Sequence, residues 1–222
     1  QLTVNQRPLN ATLARQYDGT TASAGSTLSS FDALQGGETL TLSGSGTSAS
    51  ANVANGIAMS SNGNLALVDG TGAASNYSLN STVINIIQRV LNSSGSKIYD
   101  ANTNALATDI TLSNLVSGET LNHSGTATIG SANAGSYTIT NLSGISIADN
   151  AGSASNYTLT GGTHGFTVNP KVVSIQGNKT YDGNTTISSG NITSITGTVG
   201  SETLVISGGS GTVSSANAAT YA

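Results

Sequence analysis

A Tyr-Asp pair returns along this chain on a fixed schedule. "QYDGTTAS" begins at Gln16, "IYDANTNA" at Ile98 and "TYDGNTTI" at Thr180, so Tyr17, Tyr99 and Tyr181 are each 82 residues apart. A repeat of this length constrains the fold first, because each copy must be one supersecondary or domain-sized unit whose neighbours are copies of itself. Aligning the chain on these pairs brings other segments into register. "GGETLTLSGSGT" from Gly36, "SGETLNHSGTAT" from Ser117 and "GSETLVISGGSGT" from Gly200 are one segment, and "SANVANG", "SANAGSY" and "SANAATY" are another. "VDGTGAASNYSL" from Val68 matches "ADNAGSASNYTL" from Ala148.

The charges keep the same schedule. Arg7, Arg89 and Lys171 are 82 apart, as are Arg15, Lys97 and Lys179, and these six are all the basic residues of the chain. Its three glutamates, Glu38, Glu119 and Glu202, all precede Thr-Leu in the same segment. The units therefore fall at 6–87, 88–169 and 170–222, the last incomplete. Residues 1–5, "QLTVN", match "GFTVN" at 165–169 and read as the closing strand of a preceding unit.

Within a unit, stretches such as "ETLTLSGSG", "SYTITNLSGISIA" and "KVVSIQG" alternate small or polar residues with Leu, Ile, Val, Tyr and Thr. This period of two, broken by Gly, Asn, Asp and Ser, predicts half-buried strands and an all-β fold. Several strands in about 82 residues predict tandem small immunoglobulin-like β-sandwich repeats, each with its own modest core. The alternative is a continuous β-solenoid, whose rungs repeat at shorter intervals than any period seen here.

Composition excludes several classes. Six basic residues and a formal charge of −4 leave no electrostatic footprint for nucleic acid. The longest apolar run, "VINII" from Val83, is far too short for a membrane-spanning helix, so no membrane insertion is expected. There is no Cys, hence neither disulfide nor thiol chemistry. The chain begins at Gln1 without a signal peptide and reads as a piece of a longer protein.

The run "QYDGTT", "GETLTLSGSG", "LVDGTGAASNYSL" and "TVNPK" resembles the YDG repeat family, over essentially the whole chain and three times in register. Unit two departs from the pattern with Ala101 in place of Gly, and unit one lacks the Tyr after "SANV". The resemblance implies a module of very large bacterial surface proteins similar to filamentous haemagglutinin, secreted to the Gram-negative cell surface for adhesion or biofilm formation. It implies no enzymatic activity.

The repeat-defining residues are Tyr17, Asp18, Tyr99, Asp100, Tyr181, Asp182, Glu38, Glu119, Glu202, Asn76, Tyr77, Asn156 and Tyr157. The Asp of each Tyr-Asp pair is read as an Asx-turn residue, and its Tyr as a core plug whose hydroxyl meets a backbone partner. Because Ala101 would resist a positive φ, Asp rather than Gly is expected to define the turn. The glutamates are expected to pair with the equally regular basic residues.

No catalytic constellation is present. Calcium is the strongest chemical alternative, with Asp18, Asp100 and Asp182 at one loop position and Asp69 and Asp149 at another. One unit nevertheless offers few of the oxygens calcium needs, and no cofactor is expected. His123 and His164 share no metal-ligand spacing and read as surface or turn residues. Asn10, Asn80, Asn92 and Asn184 head Asn-x-Ser/Thr sequons and are candidate glycosylation sites.

The leading expectation is thus a structural stalk module that presents a distal binding region and self-associates laterally. Its partners are neighbouring repeats or other copies. The alternatives are a module that binds host or matrix glycans or itself, and a filament subunit completed by donor-strand pairing between copies.

Overall fold

The computed structural model describes residues 1–221. Unit 1 contains β1 (Arg7–Gln16), β2 (Ala22–Ala24), β3 (Leu28–Phe31), β4 (Leu40–Ser43), β5 (Ser45–Ser48), β6 (Ala54–Ser61), β7 (Ala66–Asp69) and β8 (Tyr77–Ile87). Unit 2 contains β9 (Arg89–Val90), β10 (Asn92–Ile98), β11 (Asn104–Leu106), β12 (Ile110–Ser113), β13 (Asn122–Ile129), β14 (Gly135–Asn141), β15 (Ile145–Ala148), β16 (Tyr157–Thr158) and β17 (His164–Asn169). Four strands follow in unit 3: β18 (Ser174–Gly177), β19 (Thr186–Ser188), β20 (Ile192–Thr196) and β21 (Ser210–Thr212). Only single 3-10 turns interrupt this all-β order, and no helix is long and apolar enough to cross a membrane.

Period-two burial sets which face each strand turns inward. Along β1, Leu9, Ala11 and Leu13 are buried while their neighbours face out, and β8 does the same with Thr82, Ile84 and Ile86. Unit 1 builds a six-stranded sheet in the order β2-β5-β6-β8-β1-β3, with β4 and β7 paired as a separate ribbon. Unit 2 builds a seven-stranded sheet in the order β11-β13-β14-β17-β10-β12, with β15 on β13. The large sheets curl, one into a half-barrel and one towards a closed barrel.

One feature of this topology positions everything that follows. The first and last strands of a unit lie side by side and parallel: β1 on β8 from Arg7↔Tyr77 to Gln16↔Ile87, and β10 on β17 from Ser93↔His164 to Ile98↔Asn169. Parallel neighbours finish at the same end of a sheet. The Tyr-Asp pair that follows the first strand therefore lies where the last strand hands over to the next unit. Tyr17 N–H donates to Ile87 O, and Tyr99 N–H to Asn169 O, each at 2.9 and 2.8 Å.

Strand pairing stays within units, unlike the shared sheets of a solenoid. The apolar core does not. Ala11, Leu13, Tyr17, Leu42, Ile84 and Ile86 of unit 1 form one buried cluster with Leu91, Leu121 and Tyr157 of unit 2. Unit 2 has a second cluster of its own around Ile129, Phe166 and Val168. The expectation of separate bead-like cores thus gives way to a core that runs through the first junction. In unit 3, Leu204 is 53% exposed, where its counterpart Leu40 is 5% exposed.

Candidate functional site

The Tyr-Asp-Gly segment folds by local hydrogen bonds. Asp18 Oδ1 accepts the Thr20 N–H at 2.9 Å, Asp100 Oδ1 that of Asn102 at 3.2 Å, and Asp182 Oδ1 that of Asn184 at 3.1 Å. Each is an Asx turn. The basic residue three positions earlier closes the loop as an ion pair: Arg15 with Asp18, Lys97 with Asp100 at 2.8 Å and Lys179 with Asp182 at 2.8 Å. The Lys97 ammonium also donates to Asn102 O, Asn102 Oδ1 and Asn104 O, and Lys179 does the same to Asn184 O, Asn184 Oδ1 and Thr186 O. A tethered cation thus occupies the centre of each loop, and its ring of oxygens is already used.

These contacts fix the charge state of the loop. Burial pushes the Asp18 carboxyl up, but the Thr20 N–H and hydroxyl together with Arg15 outweigh it and hold the group below its usual range. The Lys179 ammonium does the same for Asp182. Among the described residues no three acidic or histidine side chains converge as a metal site. Asp69 and Asp149 each accept a backbone N–H five residues on, from Ala74 and Ala154 at 2.7 Å. They shape the loop that delivers Asn76-Tyr77 and Asn156-Tyr157.

The turn demands a left-handed residue. Gly19 and Gly183 have φ of 76° and 77°, and Ala101 adopts 63° in the same place. The expectation that Asp makes this glycine dispensable is therefore corrected. Ala101 carries the strain of a Cβ in the left-handed region, and the Asx turn and lysine cage hold it there.

The tyrosines and glutamates meet at the junction. Tyr17 of unit 1 donates its hydroxyl to Glu119 Oε1 of unit 2 at 2.5 Å, and Tyr157 donates to Glu119 Oε2 at 2.6 Å. One carboxylate is thereby shared by two tyrosines from different units. Their rings meet edge to face, with centroids 5.4 Å apart and planes at 79°. The Tyr157 oxygen also accepts the Val116 N–H at 3.0 Å. Gly152 makes room for the carboxylate, since a Cβ there would lie 2.5 Å from Glu119 Oε2. Burial first, and Glu119 second, push the Tyr157 hydroxyl up to about 12 and raise Tyr17 in the same direction.

Beside this pair, Asn156 is fully buried and closes a second contact. Its amide oxygen accepts the Val53 N–H at 2.9 Å, and its amide nitrogen donates to Asn52 Oδ1 at 3.0 Å. Arg89 donates to Asn114 O and Oδ1, bracing the start of unit 2 against its own loop.

The same parts recur at the other units. Tyr77 donates to Glu38 Oε2, and its oxygen accepts the Gln35 N–H. Tyr99 of unit 2 donates to Glu202 Oε1 of unit 3, and this bond raises its pKa. The expected pairing of glutamates with basic residues is overturned: the cations serve the Asp turns and the glutamates serve tyrosines. Nor do the hydroxyls of Tyr17 and Tyr99 go to backbone, as expected; they reach the next unit's carboxylate. Tyr181, expected in the core, is 67% exposed.

Asn52 and Val53 were not singled out by sequence, although the recurrence of "SANV" and "SANA" carries the signal. His123 and His164 are half-buried strand residues rather than turn residues. His123 Nε2 lies 3.0 and 2.9 Å from the carbonyls of Ala107 and Ile110. His164 binds the Ser93 hydroxyl and the Leu159 carbonyl. Asn10 donates its amide to Asp32 and accepts from Asn80, Asn92 Oδ1 accepts the Thr163 N–H, and Asn184 Oδ1 completes the lysine cage.

The chain matches the YDG domain in two consecutive copies, residues 2–84 and 87–164, well over half its length. It belongs to the YDG domain family. The shared glutamate, Glu119, lies in the second matched copy and takes its tyrosines from both. No curated protein matches the chain, and no solved structure matches it.

Proposed function

We propose that these YDG domains are the structural stalk of a bacterial surface adhesin or biofilm fibre, exported from a Gram-negative cell and devoid of catalytic activity. The observation that carries this reading is the Tyr17–Glu119–Tyr157 joint. Its parts belong to the repeat pattern and join two units through a continuous buried core, which suits a rod that must transmit force. We also read the curled sheet with its separate β4–β7 ribbon as a variant of the immunoglobulin-like sandwich. Tyr17, Tyr77 and Tyr157 are buried, which leaves a glycan-binding face without those aromatic anchors.

Two measurements test the reading. Antibody raised against the chain should label the outside of intact producing cells; label found only after permeabilisation would sink it. Under force applied end to end, units 1 and 2 should resist as a coupled pair, and Glu119→Ala should lower their unfolding force. Equal forces in the two chains would remove the joint from the argument.

A further inference from the structure

Unit 1 carries a second copy of the surface that unit 2 offers to unit 1, and in unit 1 it faces outward. The correspondence holds residue by residue. Gln6 donates to Ser75 O at 3.0 Å as Gln88 does to Ser155 O at 3.1 Å. Tyr77 is fixed on Glu38 Oε2 and the Gln35 N–H as Tyr157 is on Glu119 Oε2 and the Val116 N–H. Two differences remain. Glu119 Oε1 holds a tyrosine from another unit, whereas Glu38 Oε1 has no such partner among the described residues. Asn156 is buried against Asn52 and Val53, whereas Asn76 is exposed.

The complementary surface stands at unit 3. Tyr181 is 67% exposed and sits on the same Asx turn as Tyr17, with Asp182 held by Lys179 and Gly183 at φ 77°. The nearby loop is also preset: Asn217 N–H donates to Ser215 Oγ as Asn52 N–H does to Ser50 Oγ, at 3.2 and 3.1 Å. In unit 1 that loop is the one that receives Asn156.

We infer that the Glu38–Asn76–Tyr77 face is a socket for the Tyr-Asp-Gly end of another YDG unit, filled by Tyr181 of a second copy of this chain. The inserted hydroxyl donates to Glu38 Oε1, its ring meets the edge of Tyr77, and Asn76 takes the backbone of the Ser215–Asn217 loop. This rests on the joint reading above and extends it from neighbouring units to separate chains. Plug and socket are different surfaces, so the contact is heterologous and propagates head to tail. Both sides are held in shape by their own hydrogen bonds, which lowers the ordering cost of association.

Sedimentation velocity over a concentration series tests the inference. The unmodified chain should grow into multimers as concentration rises. Tyr181→Ala lacks the plug and Glu38→Ala the socket, so each alone should remain single chains, with association weakened about ten-fold or more. Mixed in equal amounts, they should form a complex of two chains and nothing larger. Tyr181 is exposed, so its variant should melt like the parent, and Asn76→Ala offers a socket variant that leaves the Tyr77–Glu38 bond intact. A parent chain that stays single throughout, variants that associate as the parent does, or a mixture that fails to pair would each overturn the inference. If Glu119→Ala uncouples units 1 and 2 while the parent chain stays single, the joint stands and only the socket falls.

Discussion

Tyr17 and Glu119 are 102 positions apart in the chain and 2.5 Å apart in space, hydroxyl to carboxylate, across the boundary between two units. The distance is short because β1 and β8 run parallel and deliver Tyr17 to the end where unit 2 begins. Glu119 takes a further hydroxyl from Tyr157, so its removal strands two buried donors together.

Glu119→Ala should therefore destabilise the chain by about 2–4 kcal/mol, the range for losing hydrogen bonds to a charged group and leaving their partners unsatisfied. Urea unfolding measures it. Tyr17→Phe keeps the ring contact and should cost about 1 kcal/mol. The two changes should be strongly non-additive, because they remove the same bond. Additive losses would show that Tyr17 and Glu119 are not coupled.

Ala101→Gly should stabilise unit 2 by about 0.5–1 kcal/mol, since relief of left-handed strain outweighs the entropy glycine adds to the unfolded chain. Gly19→Ala should do the reverse and cost more than about 1 kcal/mol. Its Cβ would also lie 2.9 Å from Val116 Cγ1, so the junction must yield. Thermal melting of both variants checks the opposite signs.

Lys97→Met should cost about 2 kcal/mol, because the ammonium's oxygen partners lose a charged donor. Lys97→Arg should be milder, since unit 1 carries Arg15 at the equivalent point and still pairs with its Asp. Titration calorimetry with calcium should give no binding heat to the parent chain, whose loop oxygens already surround a cation. A calcium-dependent rise in melting temperature would contradict this placement.

Stability should fall at alkaline pH in a defined window. The Tyr157 hydroxyl moves from an ordinary 10.0 up to about 12 on folding, so between these values the folded chain binds the proton that the unfolded chain has lost. The contribution is full below about pH 10 and is lost as pH rises through about 12. Tyrosinate absorbance should show Tyr157 ionising late, together with unfolding. In acid the sign reverses. Asp18, Asp100 and Asp182 are lowered, so their contribution is full above the ordinary carboxyl value of 3.8 and is lost as pH falls through their depressed values.

Much of this protein was legible in its residues. Periodicity of two gives strands whatever their partners, and the 82-residue recurrence of Tyr, Asp, Glu and the six cations marks the units without any coordinates. Asp followed two residues on by a free N–H makes an Asx turn from local geometry alone. What sequence could not decide was who meets whom. Glutamate and arginine recur with equal regularity, and charge alone suggested that they pair. The fold instead satisfies each cation with the Asp three residues away and leaves the glutamates to tyrosines 38 and 102 positions distant. Those separations are set by the parallel closure of each unit, a long-range pairing that carries no local signature. Whether the units keep separate cores or share one was fixed in the same way, by where that closure places Tyr17.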